Sequence, residues 1–376
     1  MFRKIFIVLI CSLIIYPSFA QTAVDLYNEG VKLEGDEKYK EAITAFKKAI
    51  EKKSDYADAL YELGWCYNEL EEYKNAIIYL NKAKDYEPST AKIYFELGYA
   101  YDSDGNTEEA ITNYKKALEL YPEYYSADRN LGDIYYTKED YTQAAEYFKS
   151  YVDGADEPDN GYYYKIGWCL NDLEEYEEAI EYLEKYDPTE NDDKAKKWAE
   201  IGYAHYKREE YNHAAEAYKQ ALEIKPSYGT ALRGLGNTYY DQDDFDNALY
   251  YYNEAVEKDE DNSKELYYKI GWIYNDKEKY NDAIEVLLKA IAYDEKDAGN
   301  REELGYAYYM TDKYDDALYQ LNKAIELDSK SKLGYYYKGL CYVAMEDKTK
   351  ALEVYQQLKS VDEEQAEKLL NKINGN

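Results

Sequence analysis

The side chains suited to metal or nucleophile chemistry are few in this chain. It holds two histidines, His205 and His213, eight residues apart and, by the apolar pattern around them, on successive helices. With no cysteine nearby they make a poor metal site, and no metal is expected. The sequence has no Gly-rich phosphate loop, no Ser/His/Asp or Cys/His constellation, and no alternation of strands with helices that would host a nucleotide. Carboxylate pairs abound, but among 78 acidic residues they read as solvated helix surface. The chain is therefore read as no enzyme, with no cofactor.

Charge narrows the partners. The formal net charge is −32. Such a surface repels phosphate backbones, so nucleic-acid binding loses its main source of affinity and basic partners are favoured. With 45% apolar or aromatic residues and 52 tyrosines, the chain can still bury a core.

The first residues are Met1, Phe2, Arg3 and Lys4, followed by an apolar run from Ile5 to Tyr16 and then Pro17, Ser18, Phe19 and Ala20. A basic start, an apolar centre shorter than a membrane span, and small residues three and one before a break predict a signal peptide over residues 1–20, cleaved after Ala20. Cleavage would remove Arg3 and Lys4 and no acid, leaving 44 basic against 78 acidic side chains. Location is then periplasmic or extracellular, the alternative being an inner-membrane anchor through an uncleaved segment.

The elements that position the remaining side chains follow from a repeat. Glycines recur at Gly30, Gly64, Gly98, Gly132, Gly167, Gly202, Gly236, Gly271, Gly305 and Gly339, in steps of 34 or 35 residues. Twelve residues after every one of them stands an alanine, from Ala42 to Ala351. In Leu60, Leu63, Gly64 and Tyr67 the spacing marks one face of a helix, and Tyr73, Ala76, Ile77, Leu80 and Ala83 mark a second. Gly64 and Ala76 leave room for the two helices to cross closely, which predicts a hairpin. This pattern resembles the tetratricopeptide-repeat family over residues 23–365. The resemblance implies an all-α fold: a right-handed α-solenoid of about ten helix hairpins with a C-terminal capping helix. The expected organisation is a signal peptide over 1–20 and an array over 21–362, its repeats starting near 23, 57, 91, 125, 160, 195, 229, 264, 298 and 332. A cap over 363–376 follows, where Asp362 and Gln365 form a capping pair. The lengthened joint at 152–160 reads as a longer loop, with a bend or soft hinge as the alternative. Stacked hairpins would keep Cys66, Cys169 and Cys341 too far apart for a disulfide, so they are expected to be buried thiols.

A second period of three repeats runs through the array. Trp65, Trp168 and Trp272 each follow a repeat glycine, in LGWCYNEL, IGWCLNDL and IGWIYNDK, giving one leading repeat and three cassettes. The resemblance places first-helix residues three before the glycine and one, four and five after it on a concave inner face. These positions give Tyr61, Trp65, Asn68 and Glu69, then Tyr164, Trp168, Asn171 and Asp172, then Tyr268, Trp272, Asn275 and Asp276. Between them lie Phe95, Tyr99, Tyr203, Tyr206, Tyr306 and Tyr309. Rigid aromatics bury much area at small entropic cost, Asn can hold a peptide amide, and a carboxylate can take Lys or Arg. Arg129 sits one turn from Asp133 and Arg233 one turn from Asn237; the second pair resembles half of a carboxylate clamp, whose next asparagine would fall at Lys269. The expected function is a non-catalytic scaffold of the cell envelope that binds a protein or peptide, possibly basic. The alternative is a carbohydrate or peptidoglycan module using the same Trp, Tyr, Asn and Asp stripe.

Overall fold

The computed structural model describes residues 21–375, so the expected signal segment lies outside the described residues. Every regular element within them is helical. The chain divides after Asp159 into two units, and the division falls inside the lengthened joint.

The first unit holds four hairpins: α1 (Ala23–Gly35) with α2 (Tyr39–Lys52), α3 (Ala57–Glu69) with α4 (Tyr73–Tyr86), α5 (Ala91–Ser103) with α6 (Thr107–Leu120), and α7 (Tyr125–Thr137) with α8 (Tyr141–Gly154). The second unit holds six: α9 (Gly161–Asp172) with α10 (Tyr176–Lys185), α11 (Asn191–Lys207) with α12 (Tyr211–Ile224), α13 (Gly229–Asp241) with α14 (Phe245–Lys258), α15 (Leu266–Asp276) with α16 (Tyr280–Tyr293), α17 (Ala298–Met310) with α18 (Tyr314–Leu327), and α19 (Lys332–Ala344) with α20 (Lys348–Lys359). It ends on α21 (Glu363–Ile373), where the Asp362 side chain accepts from the Gln365 amide. The fold within each unit is that of an α-solenoid, in which each hairpin covers the apolar face of its neighbour.

The repeat glycine works through contact. A Cβ on Gly64 would lie 2.5 Å from Leu80 Cγ, and one on Gly132 would lie 2.4 Å from the Phe148 ring. In the first nine repeats the second helix lays a large side chain, sixteen residues on, directly over the missing Cβ, and at Gly339 Leu369 of α21 takes that place. Leu80 and Phe148 have no exposed surface, and burial of this kind stabilises by about 1.5–3 kcal/mol per side chain. The alanine twelve after each glycine is fully buried in all ten repeats.

Each first helix ends in the same turn. The residue seven after the glycine has positive φ, and in the second repeat Glu71 N–H donates to Asn68 O while Glu72 N–H donates to Tyr67 O. That pair of bonds is a Schellman motif, which satisfies the last carbonyls of the helix. Its left-handed residue favours glycine, yet only Gly105 is one; the other nine are Glu or Asp. Neighbouring repeats are joined by aromatic contacts. The ring that begins one second helix meets the ring just after the next repeat's glycine nearly edge-on: Tyr39 with Trp65 at 75°, Tyr73 with Tyr99 at 78°, Tyr280 with Tyr306 at 89°. Tyrosine pairs also stack within hairpins, Tyr67 on Tyr79 and Tyr239 on Tyr251, with Lys47 and Lys219 of the preceding hairpin over them.

Candidate functional site

The first helices bring the aromatic residues of successive repeats together, and a cavity opens in each unit. In the first, Trp65 and Glu69 from α3, Phe95, Glu96, Tyr99 and Asp102 from α5, and Arg129 and Asp133 from α7 line a space of about 400 Å³ over the buried Tyr114. In the second, Trp168, Asn171 and Asp172 from α9, Glu200, Tyr203 and Tyr206 from α11, and Arg233 and Asn237 from α13 line about 360 Å³ over the buried Tyr218.

The two cavities correspond position by position. Trp65, Glu69, Glu96, Tyr99, Tyr114 and Arg129 of one have their counterparts in Trp168, Asp172, Glu200, Tyr203, Tyr218 and Arg233 of the other. The third cassette departs from this. Where the others carry Asn130 and Gly234 it carries Tyr337, whose ring packs 4.7 Å from Tyr306 and 6.3 Å from Tyr309. Trp272 packs against Phe245 at 5.3 Å and Tyr240 at 5.8 Å. The exposed Tyr268 belongs to a separate depression with Asp297, and Asp276 is exposed. Tyr61 and Tyr164 are half-buried: Lys92 Nζ stands 4.0 Å from the Tyr61 ring centroid, and Tyr164 lies against Tyr186 at 5.4 Å.

The asparagines do not play the role expected of them. Asn68, Asn171 and Asn275 are buried, and their Nδ2 groups are committed to the next repeat. Asn68 Nδ2 donates to Glu96 O at 3.2 Å and Oε2 at 2.8 Å, Asn171 makes the same pair of bonds to Glu200, and Asn275 to Glu303. These Nδ2 bonds tie adjacent first helices together, while each Oδ1 is buried with no hydrogen-bond partner among the described residues. The glutamates are the residues the sequence reading missed, although their signal was present: each cassette has Glu two before its second glycine, in FELGYAY, AEIGYAH and EELGYAY. Burial pushes the Glu96 carboxyl up to about 7 and raises those of Glu200 and Glu303; the Asn bond opposes the shift in each case.

The residues of the half-clamp are engaged within the array. Arg233 Nη1 donates to Asn262 O at 2.6 Å and pairs with Glu265 at 3.4 Å, while Asn237 Oδ1 accepts from Tyr252 Oη and Lys269 Nζ. The guanidinium is drawn to its own carboxylate, and the Asn237 acceptor is already occupied. Arg129 donates to Asn130 Oδ1 through Nε and Nη2. The first cavity thus sets four carboxylates, Glu69, Glu96, Asp102 and Asp133, against one guanidinium; Asp102 is raised by burial and then by Asp133. Cys66, Cys169 and Cys341 are free and buried, and desolvation pushes each thiol up to about 12. The two histidines, read as unsuited to metal, lie with ring centroids 5.2 Å apart beside Glu210.

Sequence profiles of the tetratricopeptide repeat match residues 27–92, 95–160 and 200–263, others match 161–187 and 264–297, and a third matches 334–361. The chain belongs to the tetratricopeptide-repeat (TPR) family. TPR arrays generally mediate protein–protein interaction and are typically non-catalytic scaffolds; no catalytic family is indicated. Among solved structures, this TPR chain is similar to YrrB, a TPR protein with an unusual peptide-binding site, at 24% identity over 48% of this chain and 93% of that one, with a TM-score of 0.42. It is also similar to MamA from Desulfovibrio magneticus RS-1, at 20% identity over 46% of this chain and 97% of that one, with a TM-score of 0.43. No curated protein matches it. Among the described residues, no helix is long and apolar enough to cross a membrane.

Proposed function

We propose that this TPR protein is an exported, non-catalytic adaptor of the cell envelope that holds basic segments of a protein partner, one in the Trp65 cavity of the first unit and one in the Trp168 cavity of the second. The observation that carries the reading is the recurrence of one side-chain set, Trp, Tyr, two carboxylates and Arg, around a cavity in both units. Half-buried aromatic plates contribute area at small entropic cost. A Lys or Arg stem can lie along them while its charge meets Glu69 and Asp102, or Asp172. The net charge of −32 favours encounter with a cationic partner. The basic leader supports export, with release after Ala20 or retention as an anchor.

The sugar-binding alternative draws on the same Trp and Tyr plates, but it also needed the asparagines, whose Nδ2 groups are committed to Glu96, Glu200 and Glu303 and whose Oδ1 atoms are buried. The test probes the intact protein against a peptide array with graded Lys and Arg content and against a glycan array. Selective capture of basic peptides, weakened by salt, supports the reading; glycan capture without peptide capture overturns it. The mass of the protein recovered from fractionated cells tests export, since a chain beginning at Met1 in the cytosolic fraction contradicts it.

A further inference from the structure

The hairpin of α11 and α12 carries a feature that the binding reading leaves unused. The only two histidines of the sequence, His205 near the end of α11 and His213 in the first turn of α12, converge across the turn with Glu210 between them. One imidazole nitrogen from each histidine and one carboxylate oxygen all lie within 4.8 Å of one another. We propose that His205, Glu210 and His213 form a binding site for one borderline divalent transition-metal ion, of the zinc class.

The repeat shows that this hairpin departs from the common packing at two touching positions together. Three residues after the glycine, seven repeats carry tyrosine, as in Tyr135 and Tyr239, which stack on Tyr147 and Tyr251. In the sixth repeat that position is His205, and Ala217 replaces the stacking partner. The imidazole turns to its own hairpin turn. Eleven residues after the glycine the other repeats carry Glu, Asp, Asn, Gln or Lys, and the sixth carries His213, which is exposed. Neither substitution strengthens the core.

The donor chemistry selects the ion. Two imidazoles and one carboxylate suit Zn²⁺ and its neighbours, whereas Ca²⁺ and Mg²⁺ prefer all-oxygen shells. In a tetrahedral shell with bonds of about 2.0–2.2 Å, donors stand roughly 3.3 Å apart, so side-chain rotations assemble the set without moving the helices. His205 Nδ1 now meets Glu210 Oε2 at 2.7 Å, a hydrogen bond that the metal would replace. Arg208 Nη2 holds the other carboxylate oxygen at 3.0 Å, which orients Glu210 as an outer-shell partner orients a ligand. Three protein donors leave a fourth position for water or for a donor from a partner.

The experiment is a Zn²⁺ titration of the EDTA-treated, dialysed full-length protein by calorimetry in excess Mg²⁺, which occupies the acidic surface. It is repeated on His205→Gln and His213→Gln, both checked for helicity and melting. Co²⁺ absorption gives an independent reading of imidazole ligation. One saturable equivalent is expected, weakened at least about 100-fold in either variant, with a raised melting temperature in the parent protein alone. No saturable binding above the Mg²⁺ background, or a site that survives both substitutions, would overturn the assignment.

Discussion

Replacing Glu96 by glutamine isolates the electrostatic cost of the clamp between adjacent repeats. The Glu96 carboxyl receives Asn68 Nδ2 and lies near Glu69, and desolvation pushes it from 4.5 up to about 7. A carboxylate whose folded pKa is raised stabilises the fold fully below its unfolded value, and that contribution is lost as pH rises through the folded value. The window here is pH 4.5 to 7. At about 1.4 kcal/mol per pH unit the unscreened limit is near 3 kcal/mol. Glu96 is only half-buried by accessible surface, so solvent screens part of this, and roughly 1–2 kcal/mol is expected. Glutamine keeps an oxygen to accept from Asn68 but carries no charge. Glu96→Gln should therefore match the parent near pH 4.5 and exceed it by that amount at pH 8. Urea unfolding at the two pH values, followed by circular dichroism, measures the difference. A variant no more stable than the parent at pH 8, or equally stabilised at both values, would refute the argument.

Other outcomes follow from the repeat geometry. Gly64→Ala forces a Cβ to 2.5 Å from Leu80 Cγ, and urea titration should show a loss of about 1–3 kcal/mol. Glu71→Gly should be neutral to stabilising by up to about 1 kcal/mol, because its φ of 58° favours glycine, whereas Gly105→Glu should lower the melting temperature. Cys66, Cys169 and Cys341 should resist iodoacetamide in the native protein and react in urea, as read by mass spectrometry of the peptides.

The hairpin was legible in the sequence because the glycine and the alanine twelve residues later are steric necessities at a helix crossing, and Leu80 over Gly64 shows the reason. The aromatic positions were legible for the same reason, since a ring three or nine residues after the glycine fills a fixed volume. The direction of the polar side chains was less so. Asn68 lies one turn beyond Trp65 on the same helix, yet its amide faces Glu96 of the next repeat, a pairing 28 residues away that helical periodicity cannot express. Arg233 likewise answers Glu265, a partner set by how hairpins stack. His205 and His213 looked unrelated to any donor because Glu210 is an ordinary hairpin-turn acid until the turn folds it between them. Tyr337, which packs on Tyr306 in the third cassette, shows how one substitution in a repeated frame changes the surface without changing the fold.

The central claim is that each of the two cavities binds a basic segment of a partner. The direct measurement is the affinity of the intact protein for the best basic peptide from the array, beside Trp65→Ala, Trp168→Ala and the double variant, with helicity and melting recorded for each. Truncating a buried aromatic anchor costs about 2 kcal/mol or more, so each single variant should weaken the site in its own cavity roughly 30-fold, and the double variant should weaken both while staying folded. Unchanged affinity in a folded double variant would contradict the account.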